Sequence, residues 1–91
     1  MALEAGDVPR LPRGVRLRFD EMRGSHVLLA PERAFNIDEI AAMVLELVDG
    51  QRSVAQIVDL LADRFNEARQ VIESDVVSML DDLVGKRVVE T

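Results

Sequence analysis

Val15-Arg16-Leu17-Arg18-Phe19 alternates apolar and basic residues with period two, and the apolar run His26-Val27-Leu28-Leu29-Ala30 follows it after the turn Arg23-Gly24-Ser25. Period two sends successive side chains to opposite faces of a strand. The first segment is therefore expected as a half-buried strand, with Val15, Leu17 and Phe19 toward a core and both arginines toward water. The second run is short enough to be a strand as well. Pro31-Glu32-Arg33 interrupts it, because proline has no N–H to give to a ladder. Arg33-Ala34-Phe35-Asn36 then supplies a short third strand. Connections this short predict an antiparallel meander, with Val27–Ala30 in its middle and Arg33–Asn36 at its rim.

After this stretch the period changes. Asn36, with Glu39 three residues on, reads as a variant capping box. Ile37, Ile40, Ala41, Val44 and Val48 then form a helical stripe that Asp49-Gly50 stops. Ser53 and Gln56 make a second capping box ahead of the stripe Val54, Ile57, Val58, Leu61 and Phe65. A third stripe of Ile72, Val76, Met79, Leu80 and Leu83 ends at Gly85, and Val88-Val89 follows in the tail. Strands first and helices after make an α+β domain of order βββααα: a three-stranded antiparallel sheet plus a three-helix bundle, winged-helix-like. Before residue 15 the chain carries Gly6, Pro9, Pro12 and Gly14 without any hydrophobic period. Residues 1–14 are expected as a flexible N-terminal segment or linker, and 15–91 as the single domain.

Composition narrows the function. The chain has 91 residues and no cysteine, so disulfides and thiolate-ligated metals are excluded. His26 is the single histidine, and aromatics are limited to Phe19, Phe35 and Phe65. No apolar run approaches the ~18 residues of a membrane span, and no signal-peptide core is present, so a cytoplasmic protein without membrane partners is expected. The net charge of −6 is unevenly spread: residues 1–33 balance at +1 and residues 34–91 at −7. An acidic back end repels phosphate polymers. The winged-helix outline raises the alternative of a DNA-binding protein. Its recognition helix, Ile72–Val84, would then offer Glu73, Ser74, Asp75, Ser78, Asp81 and Asp82 to the bases, with no Arg or Lys.

No catalytic arrangement emerges. Ser25 and His26 are neighbours on a strand and point to opposite faces. Asp81-Asp82 and Asp20-Glu21 diverge rather than converge on a cation. Two features remain. The rim strand Arg33–Asn36 leaves N–H and C=O groups unpaired, and the third helix carries a second, partly apolar line through Asp75, Met79 and Asp82-Leu83. An open strand edge beside a helix makes a groove for an added peptide strand.

Taken in order, Val15-Arg16-Leu17-Arg18, then Val27-Leu28-Leu29-Ala30-Pro31-Glu32-Arg33, Asp49-Gly50 before a capped helix, Asp75-Val76, and the Leu83–Gly85 helix end resemble the PqqD family over nearly the whole chain. That resemblance implies a small, non-catalytic peptide chaperone of pyrroloquinoline quinone biosynthesis, without a cofactor, whose fold is shared by the recognition elements of other pathways that modify ribosomal peptides. It implies two partners: the precursor peptide PqqA, bound as an added strand, and the radical SAM enzyme PqqE, which cross-links it. Carried over by position, the peptide groove is Arg33, Ala34, Phe35 and Asn36 with Asp75, Val76, Met79 and Leu83. Ala34-Phe35 departs from the two aliphatics common in relatives. Service in another peptide pathway is the alternative. A monomer is expected, with exchange of the short edge strand as the route to a dimer.

Overall fold

The alternating segments become three strands, β1 (Arg16–Asp20), β2 (Ser25–Ala30) and β3 (Arg33–Ile37), in a computed structural model that describes residues 3–91. They form one antiparallel sheet of order β1-β2-β3, with Leu17 opposite Leu28 and Leu28 opposite Phe35. Three helices follow: α1 (Glu39–Glu46), α2 (Val54–Phe65) and α3 (Arg69–Gly85). The α+β order βββααα is thus present. The core lies where the inner sheet face meets the helices. Leu28, Ile57, Val58 and Leu80 are wholly buried there.

Two local expectations are corrected. Phe19 is 53% exposed and rests edge-to-face on His26, with ring centroids 5.0 Å apart. Its row of the sheet runs Phe19–His26–Ile37, and cover fades along it from buried Ile37 to exposed Phe19. The alternation set the correct face, but that face extends past the helical layer.

The cap of α1 is Asp38, whose carboxylate accepts the Ala41 N–H at 2.7 Å, and not Asn36. Asn36 stays in β3, where its side-chain oxygen accepts a hydrogen bond from Arg23. Ala42, Val44 and Leu45 are buried, and Ile40 is exposed.

The second helix follows its sequence closely. Ser53 accepts from the Gln56 N–H while the Gln56 side chain accepts from the Ser53 N–H, so both arms of the capping box form. Asn66 closes α2 in the left-handed region at φ 52°, a conformation asparagine tolerates better than most residues.

Residues 3–14, expected as a flexible lead-in, are laid against the domain. Pro9 is fully buried, the Leu3 N–H donates to Asp81, and the N–H groups of Val54 and Ala55 donate to the carbonyls of Asp7 and Ala5. Arg10 and Glu90 exchange two backbone hydrogen bonds, of 2.8 and 2.9 Å, and pair again through their side chains. This strap binds mainly through its backbone, which leaves no periodic trace in the sequence. Beneath it the tail residues Val88 and Val89 are buried. No helix among the described residues is long and apolar enough to cross a membrane.

Candidate functional site

β3 lies at one edge of the sheet, and a short loop decides which of its groups are free. Pro31-Glu32 is a two-residue connection between the paired residues Ala30 and Arg33. Such a loop is closed by a hydrogen-bonded pair, and hydrogen-bonded and non-hydrogen-bonded pairs then alternate along the ladder. Arg33, Phe35 and Ile37 therefore bond inward to β2. Ala34 and Asn36 turn their N–H and C=O groups away from the sheet. Both outward residues are exposed, whereas Phe35 is half-buried with its side chain on the core face, paired with Leu28.

The Phe35 ring links strand to helix. The Arg33 guanidinium lies 5.4 Å from its centroid and the Lys86 ammonium 5.8 Å. Cations at this range are attracted by the ring quadrupole, by about 0.5–1 kcal/mol at exposed sites. Lys86 immediately follows α3 and also holds Asp82 at 2.8 Å. The ring thus brings the edge strand near the residue that follows the third helix.

Further back along α3, Asp75, Val76 and Met79 line a cleft of about 230 Å³. Its other walls come from Asp38, Ile40 and Ala41 at the start of α1, and from Leu61 and Phe65 of α2. The eight residues singled out in the sequence therefore separate into three places. Arg33, Ala34, Phe35 and Asn36 form the edge. Asp75, Val76 and Met79 line the cleft just past the end of that edge. Leu83 is core, only 5% exposed.

Two cleft residues, Ile40 and Phe65, were assigned from their spacing to core stripes. They are 58% and 37% exposed. Phe65 is the last residue of α2, next to the left-handed Asn66, and Ile40 lies in the first turn of α1, at the margin of its buried stripe.

The ionisable groups of this region form no proton relay. His26 Nε2 is 3.8 Å from Glu46 Oε1, and the Ser25 side chain stands on the other face of the sheet. Arg69, whose pKa is raised by its 2.6 Å hydrogen bond to Asp59, ties the start of α3 to α2.

The model of the family described as coenzyme PQQ synthesis protein D (PqqD) matches residues 25–89. The chain is 54% identical over 89 residues to the bifunctional coenzyme PQQ synthesis protein C/D of Methylorubrum extorquens, across 98% of this chain and 24% of that protein. It spans about a quarter of that relative. It is also 54% identical over 78 residues to the PqqA binding protein of Rhodopseudomonas palustris strain TIE-1, across 86% of this chain and 76% of that one. Among solved structures, it superimposes with a TM-score of 0.87 and 53% identity on the solution NMR structure of the PqqD truncation of Methylobacterium extorquens PqqCD, covering 99% of this chain and 96% of that one. That protein is described as a functional, stand-alone RiPP recognition element.

Proposed function

Because the chain belongs to the PqqD family, we propose that it binds the ribosomal precursor peptide PqqA as a fourth strand along β3 and presents it to the radical SAM enzyme PqqE. The name of the Rhodopseudomonas relative, PqqA binding protein, and the recognition-element role of the NMR structure support peptide binding. The observation that carries strand addition is the outward backbone of Ala34 and Asn36 on an edge strand whose Phe35 ring meets Lys86 at the end of α3. Each main-chain hydrogen bond made there contributes ~0.5–1.5 kcal/mol net. Side chains on α3 and around the cleft supply selectivity, since an added strand by itself is recognised through backbone groups that every peptide has. In this reading the chain is a non-catalytic adaptor that works as a monomer in the cytoplasm. Exchange of an edge strand with a second copy is the competing use of the same groups.

The alternation along β3 gives a paired test. Proline at residue 34 removes an outward donor and spares the internal ladder, whereas proline at residue 35 removes a bond to β2. Ala34→Pro should keep a folded amide NMR spectrum and lose at least about tenfold in PqqA affinity by calorimetric titration, equivalent to ~1.4 kcal/mol. Phe35→Pro should lose thermal stability outright. Wild-type binding by a folded Ala34→Pro variant would rule strand addition out.

A further inference from the structure

We propose that the bound peptide continues past the end of β3 and places one bulky apolar side chain, flanked by a Lys or Arg, in the cleft between α1, α2 and α3. This rests on the strand-addition reading and extends it from backbone pairing to side-chain choice.

The cleft is continuous with the edge. Asp38, which follows the last residue of β3, is itself a cleft wall. From the outward groups of Asn36 to Asp38 is two residues, roughly 7 Å at strand rise, so an added strand arrives there within two or three residues of its last pairing. The walls are apolar where an incoming side chain would touch them: Ile40, Phe65 and Met79, with buried Val76 behind them. Ile40 and Phe65 both keep a substantial part of their apolar surface exposed at the cleft. Single exposed apolar residues are ordinary, but two converging on one concavity with half-buried Met79 form a surface that a ligand side chain can cover. The size suits one side chain. A cavity of about 150 Å³ accepts benzene, so about 230 Å³ admits an aromatic or a large branched aliphatic group.

Charge narrows the occupant further. Asp38 and Asp75 are exposed carboxylates at the rim, and no Arg, Lys or His lines the cleft. The Asp38 carboxylate is partly satisfied by the Ala41 N–H, and Asp75 pairs with no cation among the described residues. Two carboxylates without a cationic side-chain partner around an apolar hole favour an apolar group that arrives with a positive neighbour and disfavour one that arrives with a negative neighbour.

Calorimetric titration of the whole chain with synthetic PqqA tests this. Ile40→Gln alters a largely exposed side chain, so the variant should melt like wild type and bind at least tenfold more weakly. A set of PqqA peptides, each with one bulky apolar residue replaced by Ser, should contain one whose loss matches that of Ile40→Gln. That replacement should have little further effect in the Ile40→Gln background, because partners in direct contact are not additive. Asp75→Lys, at an exposed position, should weaken binding more at low salt than at high salt. Wild-type affinity in folded Ile40→Gln, or strictly additive losses with every peptide, overturns the anchor. Unchanged affinity in Asp75→Lys at low salt overturns the flanking cation. Loss in Ala34→Pro without loss in Ile40→Gln rejects the cleft and leaves strand addition standing. Loss in Ile40→Gln without loss in Ala34→Pro rejects strand addition and the continuation drawn from it.

Discussion

Asp49 receives the backbone N–H groups of Gln51 and Arg52 on one carboxylate oxygen, each at 2.9 Å. These bonds, that from Arg52 foremost, hold its carboxyl below the ordinary value of 3.8. A carboxyl that ionises more readily in the folded chain adds stability above its unfolded pKa, and that stability is lost as pH falls through the depressed folded value. Asp49→Asn should therefore be less stable than wild type near neutral pH, with the difference closing as pH is lowered below 3.8. Urea unfolding of both proteins across that range checks it, and a difference constant with pH would show that the charge is not what the turn uses. Single residues also mark where the sequence was least readable. Asn36 and Asp38 are both competent caps two positions apart, and propensity does not separate them. The separation is tertiary: Asn36 sits in the ladder opposite Val27 and holds Arg23, so the cap falls to Asp38.

Among the elements, α2 was the most legible, because its apolar period and both capping-box residues agree. Ser53→Ala removes the acceptor for the Gln56 N–H and should cost about 1 kcal/mol by chemical denaturation. Ser53→Asp should recover most of that loss, since aspartate caps as well as serine. No loss in the alanine variant would mean that the docked strap alone secures the start of α2. By contrast α1 has only eight residues, and its short stripe does not reveal that Ile40, in the first turn, lies at the exposed margin while Val44 is buried. The rim position of β3 was legible from Pro31 and the short connections. Which of its residues face outward was not, because that depends on the pair that closes the loop, a feature of register rather than composition.

At the scale of the molecule, the charge asymmetry has a direct test. Within α3 the stretch Ile72–Val84 carries Glu73, Asp75, Asp81 and Asp82 without a cation, so no specific duplex binding should occur at physiological salt, where true sites reach ~10⁻⁸ M or tighter. A sequence-specific mobility shift at nanomolar protein that disappears on altering α3 would contradict the adaptor reading. The cleft was out of reach of sequence for a related reason. Its walls come from three helices whose stripes each look complete alone, and only their convergence shows that Ile40 and Phe65 stay partly exposed. The strap has a consequence for how the chain opens. Its docking supplies the acceptors for the amides of Arg10, Gly50, Val54 and Ala55, and Arg10 in turn accepts from Glu90. These five amides come from separate regions of sequence yet depend on one strip. Native-state hydrogen exchange should group them into a single opening unit of lower free energy than the Leu61 and Leu80 amides, which open only with the whole core. If Val54 and Ala55 exchange with the interior of α2 instead, the strap is no separate unit. Otherwise the first turn of α2 keeps time with both ends of the described chain rather than with the rest of its own helix.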